Sequence, residues 1–189
     1  MSVSQSEASR CKSKARLSTT VIPPTMVEYD SNRIEVAIHR ATGTIKRELD
    51  HYLRAVISPQ GPLTSAGDVL IVTTCQESRV DLLNWDESSA IEKDRLLFVF
   101  KAFAEELCEK LRSLGYWADY ADPASGLLMN SRGQVVWPEV QALERLRGYS
   151  HSMAGPCHIL LHPMWQSRVY PATLFTNAPE NELRNWFGV

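Results

Sequence analysis

Apolar residues recur every three or four positions from Leu96 through Phe100, Phe103, Leu107 and Leu111 to Leu114, which predicts one long amphipathic helix. Ser89 followed by Glu92 predicts a capping box at its start, and Gly115 a left-handed residue closing its end. Residues 68–75 form a continuous β-branched apolar run of strand length, the pattern of a central strand buried on both faces. Residues 33–38 alternate polar and apolar, as a half-buried strand does. From about Thr44, Ile45, Leu49, Tyr52, Leu53 and Val56 share one helical face, and Pro59, Gly61 and Pro62 end that helix.

The C-terminal third is more broken. Residues 134–137 read as a short edge segment, and Pro138 as the first position of a helix that carries Val140, Leu143 and Leu146 to Gly148. Residues 157–162 form a strand between Gly155-Pro156 and Pro163; residues 168–176 form another, in which Pro171 implies an edge or a bulge. Asn177 is the expected cap of a last helix around 180–187. The polar connection 76–88 holds Trp85, expected to cover a sheet edge. Strands and helices intersperse without βαβ alternation or repeats, so the expected fold is a two-layer α+β domain over residues 27–189. Residues 1–26 read as a tail. Its Arg10, Lys12, Lys14 and Arg16 against a single Glu7, with many serines, match a disordered segment and a mitochondrial transit peptide alike.

Composition narrows the partners. A net charge of −2 over 189 residues, with no basic stripe, speaks against nucleic acid and anionic membrane surfaces. Nowhere do eighteen apolar residues run together, so no membrane span is expected. Cys11, Cys75, Cys108 and Cys157 are widely spread and form no Cys-x-x-Cys pair, which suits free thiols in a reducing compartment. The glycine-rich phosphate loops, the nucleophile elbow and the His-Glu-x-x-His helix are all absent from the sequence.

Candidate chemistry is sparse. Asp119 and Asp122 stand three apart, suited to acid/base work or to capping the Asp-Pro-Ala-Ser turn. His158 and His162 would meet on a helix, but on a strand four residues span about 13 Å, too far to share one metal ion. Cys157 follows a Gly-Pro turn at the mouth of a strand and adjoins His158, whose charged form would favour a thiolate, although strand neighbours point to opposite faces. Cys75 and Cys108 read as core residues. Trp117, Trp137, Trp165 and Trp186 suit a flat ligand or simply core volume.

Four strings carry more than their chemistry: Arg33-Ile-Glu-Val-Ala-Ile38, Leu114-Gly-Tyr-Trp-Ala-Asp-Tyr-Ala-Asp-Pro-Ala-Ser-Gly-Leu127, His162-Pro-Met-Trp165 and Leu174-Phe-Thr-Asn-Ala178. In order and spacing they resemble the methylmalonic aciduria and homocystinuria type D family, the cobalamin trafficking proteins CblD, from about Glu28 to the C-terminus. That resemblance implies a nitroreductase-like core sheet with packed helices and no flavin. It also implies an adaptor, not an enzyme. Such a protein binds a CblC-like cobalamin-processing protein and directs cobalamin (vitamin B12) to methionine synthase in the cytoplasm and/or methylmalonyl-CoA mutase in the mitochondrion. Cobalamin is then cargo shared with the partner, with cobalt held by a cysteine thiolate. Relatives carry Gly-Cys-Cys ahead of the strand, the first cysteine being the ligand; here Gly155-Pro156-Cys157 puts proline in that place. Either Cys157 takes over, through a one-residue shift that in a regular strand would turn the side chain to the other face, or cofactor passes without a cobalt–sulfur bond. The alternative class is a flavin-dependent nitroreductase-like oxidoreductase, for which Arg33 and Arg40 are candidate phosphate partners. A thiol redox protein centred on Cys157 is a third.

Overall fold

The computed structural model describes residues 19–59, 61–131, 133–154 and 157–189, with Ala154 and Cys157 described by backbone alone. Strand β1 (Thr20–Tyr29) and strand β2 (Asn32–Arg40) form a hairpin. Its turn residues, Asp30 and Ser31, lie at φ 45° and 59°, the tight two-residue geometry that matches strand twist. Helix α1 (Gly43–Tyr52) leads to strand β3 (Leu70–Glu77), helix α2 (Glu87–Ser113) and strand β4 (Ala118–Tyr120). Helix α3 (Glu139–Arg147) is followed by a small hairpin, β5 (Ser150–Ala154) and β6 (Cys157–Leu161). Strand β7 (Val169–Thr176) and helix α4 (Glu180–Phe187) complete the chain. One antiparallel sheet runs β1-β2-β3-β7-β4, and β5-β6 pair separately.

The fold is α+β, but with three layers where two were expected. Successive residues of β3 point to opposite faces. Leu70 and Val72 join Ile34, Val36, Ile38 and Leu174 beneath α2 and α4, while Ile71 and Phe175 pack on the other side against α1, α3 and Trp137. A sheet apolar on both faces must be covered on both. The same fact corrects the half-buried reading of β2: its alternate residues Glu35 and His39 are polar yet buried, held by specific partners. The tail boundary also moves. Residues 20–26, expected outside the domain, pair in β1; Pro23 and Pro24 are tolerated because β1 is an edge strand whose register shifts between Ile22 and Thr25. Residues 1–18 lie outside the described residues.

Helix α2 buries Leu96, Phe100, Phe103, Leu107 and Leu111 of its predicted face, but Leu114, expected on that face, follows the last helical residue and is exposed. Its cap is Asp86, which accepts the Ser89 N–H at 2.8 Å; Glu92 instead accepts the backbone N–H of Arg79. At the far end Gly115, at φ 88°, donates to the Arg112 carbonyl, and Tyr116 donates to that of Leu111, the paired bonds of a left-handed stop. Trp85 is 78% exposed and covers no edge; Leu82 of the same connection is the apolar residue that buries. Residues 134–137 are not a strand, since Trp137 turns into the core and its N–H donates to the Gly126 carbonyl. Pro171 sits in β7 between β3 and β4, yet β4 is too short to reach it. The Ala121 N–H bonds the Thr173 carbonyl, and two residues further on that side of β7 has no strand to miss a donor. Asn177 does not cap α4; its side-chain oxygen accepts the Trp117 N–H at 2.8 Å.

The two sides of α2 give a direct check. Leu107→Ala, at a residue 1% exposed, should cost about 2–5 kcal/mol in urea unfolding. Phe98→Ala, at a residue 75% exposed, should stay within about 0.5 kcal/mol.

Candidate functional site

The β5–β6 hairpin is the one paired element outside the main sheet among the described residues, and its attachment is built from polar chemistry. Gly148, at φ 70°, ends α3 in the left-handed region and sends the chain straight into Tyr149 and β5. Leu160 and Trp165 then pack with Leu143, Cys75 and Val169. Helix α3 is pinned to the sheet at both ends. In its first turn Glu139 accepts the Thr173 hydroxyl at 2.5 Å, and its last residue, Arg147, reaches Glu35 of β2.

Glu35 is the anchor. Its Oε1 accepts from Arg147 Nη2 at 2.6 Å, from the Tyr149 hydroxyl at 2.7 Å and from His162 Nε2 at 3.0 Å. The Arg147 side chain is 1% exposed and so is that of His162. The Arg147 guanidinium also donates to Cys75 Sγ at 3.3 Å and lies over the Tyr149 ring. His162 Nδ1 accepts the backbone N–H groups of Met164 and Trp165, which leaves Nε2 as the protonated nitrogen; its ring stacks on Trp165 with centroids 4.1 Å apart. Burial pushes the Glu35 carboxyl upward, but the bonds from His162 and Tyr149 and the charge of Arg147 outweigh it and hold the group below the ordinary glutamate value. A second buried histidine lies two pairs along the same face. His39 accepts from Thr20 at Nδ1 and donates from Nε2 to Thr73, and burial with the nearby Arg147 charge pushes it down to about 3.

The free end of the hairpin differs in character. Met153 is 55% exposed and His158, its cross-strand partner, is exposed too. The His151 and His158 rings share one hairpin face with centroids 4.7 Å apart, and Glu144 of α3 lies 3.4 Å from His151 Nδ1. Cys157 opens β6 opposite Ala154, where the hairpin turns; its side chain, and Gly155 and Pro156, lie outside the described residues.

The remaining sequence candidates separate cleanly. His158 and His162 do not meet, since one faces outward and the other binds Glu35. Asp119 and Asp122 are not an acid/base pair. Asp119 is fully buried, accepting from the N–H groups of Tyr120, Asn130 and Ser131 and from the Asn130 amide, while Asp122 caps its turn through Ser125. Burial pushes the Cys75 and Cys108 thiols up to about 12, so neither is a thiolate at neutral pH, even with Arg147 touching Cys75. Arg33 and Arg40, the two phosphate candidates, occupy opposite ends of β2 and cannot share a ligand; Arg40 lies 3.9 Å from Glu180. No three His, Cys, Asp or Glu side chains among the described residues are arranged to hold a metal ion. Sequence reasoning missed Glu35, Arg147, Tyr149 and His151. The available signal was a lone carboxylate inside an apolar strand, which burial requires to be paired.

Fold and site together define an α+β protein built on one antiparallel sheet, with a small hairpin clamped to it by a buried carboxylate. A family model described as methylmalonic aciduria and homocystinuria type D protein matches residues 6–184. The cobalamin trafficking protein CblD of Homo sapiens is 30% identical over 151 residues, covering 79% of this chain and 48% of the human protein. The Rattus norvegicus protein of the same name is also 30% identical over the same shares, and that of Gallus gallus 26%. The chain spans about half the length of these curated relatives. It belongs to the methylmalonic aciduria and homocystinuria type D protein family.

Two buried groups predict pH-dependent stability. Glu35→Gln leaves Arg147 buried without its counter-charge and should cost about 3–5 kcal/mol at neutral pH in urea unfolding. Because the folded carboxyl is depressed, its contribution is full above the ordinary value of 4.5 and fades as pH falls through the folded value, so the gap to wild type should close in acid. His39 works in a different window. Between pH 6.5 and about 3 the unfolded chain takes up a proton that the buried ring refuses, so wild-type stability falls with pH there. Urea midpoints of His39→Gln should lose that part of the slope; an unchanged slope would place the titration elsewhere.

Proposed function

We propose that this chain is a cobalamin trafficking adaptor. It binds a CblC-like cobalamin-processing protein and directs the cofactor to methionine synthase and/or methylmalonyl-CoA mutase, working in the cytoplasm and in the mitochondrion. Cobalamin is its cargo, held jointly with the partner. The observation that carries this reading is the family match across residues 6–184, supported by relatives named for cobalamin trafficking. A nitroreductase-like descent of the sheet belongs to the same reading, and an antiparallel sheet with helices on both faces supports it. The flavin reductase has no comparable support.

The hairpin is the element proposed to meet cargo. Its base is anchored through Leu160 and the Glu35–His162 bond, while Met153 of β5 and His158 of β6 are exposed toward its far end, where β6 begins at Cys157. An adaptor gains from that division, since a rigid base positions a tip whose contacts are left for a second molecule. With Pro156 in place of the first cysteine of the pair, Cys157 is the candidate thiolate for cobalt.

The test mixes the purified chain with a CblC-type protein loaded with cob(II)alamin. Co-elution is expected on gel filtration, together with a change in the cobalamin absorption spectrum. Cys157→Ser should keep the complex and lose the spectral change. Co-elution with an unchanged spectrum would retain the adaptor and remove the cobalt–sulfur bond. Failure to form a complex in any ligand state would overturn the reading.

A further inference from the structure

Four arginines from four separate segments line one open cleft of about 370 Å³ at the end of the sheet where β1 turns into β2. Arg33 comes from β2, Arg79 from the loop after β3, Arg95 from α2 and Arg168 from the residue before β7. Two carboxylates answer them. Glu77 lies between Arg33, at 2.9 Å, and Arg168, at 3.3 Å; Glu92 takes both Nε and Nη2 of Arg95, each at 2.7 Å. Arg95 spends its remaining arm on the Asn32 side chain, so its guanidinium is fixed in place. Arg79 lends only its backbone N–H to Glu92, and its guanidinium forms no salt bridge among the described residues. Asp81, whose carboxyl is held down first by hydrogen bonds from Ser167 and the Leu83 N–H and then by the Arg168 charge, does not line the cleft.

The four guanidinium groups of the cleft thus outnumber their two paired carboxylates by two, in a protein whose formal net charge is −2. The donors that remain are also of one kind. Arg33 and Arg168 each use a single terminal nitrogen on Glu77, and Arg79 uses none of its side chain, so three planar guanidinium forks still present N–H groups. A single carboxylate would neutralise one charge and occupy one fork. A tetrahedral dianion matches both the charge and the several directions of approach, which is the geometry arginine serves best.

We propose that this cleft binds a phosphate dianion, either free or as the monoester group of a small molecule. Arg79 and Arg168 are the principal donors, Arg33 adds to them, and the Arg95–Glu92 pair, which is neutral as a unit, holds one wall of the cleft in place. No residue of the β5–β6 hairpin lines the site and it needs no corrinoid, so its fate is separate from that of the adaptor reading.

The test titrates the full chain with inorganic phosphate and, in a second arm, with AMP, following heat by calorimetry at ionic strength held constant with sodium chloride. Saturable one-to-one binding is expected in wild type. The double variant Arg79→Gln/Arg168→Gln, at two exposed positions, should bind at least about tenfold more weakly while keeping its circular dichroism spectrum. Arg145→Gln, which removes a guanidinium paired with Glu48 elsewhere, should bind as wild type does. AMP binding much tighter than phosphate identifies an organic phosphate; equal affinities identify the bare group. Heat that chloride alone reproduces, or a double variant that binds phosphate like wild type, would overturn the site.

Discussion

One buried carboxylate ties the end of α3 and the base of the β5–β6 hairpin to strand β2 of the sheet. Glu35 accepts hydrogen bonds from Arg147 at the end of α3, Tyr149 just after it and His162 beyond β6. None of these groups tolerates burial alone, and Glu35 least of all, since an unpaired buried charge is far costlier than an unpaired amide. The sheet, the helix and the hairpin therefore take up one mutual arrangement, the one in which all of these polar groups meet. Cys75 and Trp165 close the cluster from the apolar side.

The two faces of the sheet consequently do different work. Under α2 and α4 the packing is mainly apolar, with Gln76 of β3 donating to the Leu96 carbonyl of α2 as a buried polar contact. On the opposite face Thr73, Thr173, His39 and the Glu35 cluster thread polar contacts through the core. Such contacts are directional, so they orient α3 and the hairpin more sharply than hydrophobic area can. The imidazoles of His39 and His162 belong to that frame, each ring accepting at one nitrogen and donating at the other. A hairpin anchored at its base by buried polar contacts, with Met153 and His158 exposed toward its far end, is the outcome.

Much of the secondary structure was legible because it rests on spacing that a short window contains. The face of α2 and the stop at Gly115 were read from residues 96–115, and β3 from eight consecutive residues. Local choices between near-equal partners were less legible. Asp86 caps α2 because the chain enters from that side, leaving Glu92 to bind Arg79 and Arg95. Asn177 faces Trp117 because β7 ends beside β4, not because a helix follows it. Strand β5 went unread, since Ser150 to Ala154 carries neither alternation nor a hydrophobic run and forms only against β6.

From its residues alone the chain declares an α+β domain and its family, because periodicity and rare strings such as Gly115-Tyr-Trp-Ala-Asp119 survive in one dimension. The pairing of Glu35 with His162, 127 positions apart, does not. Nor does the convergence of Arg33, Arg79, Arg95 and Arg168 on one cleft. Both depend on which strand lies beside which. Strand order is chosen by the burial of whole faces, a property of the assembled sheet that no local stretch contains.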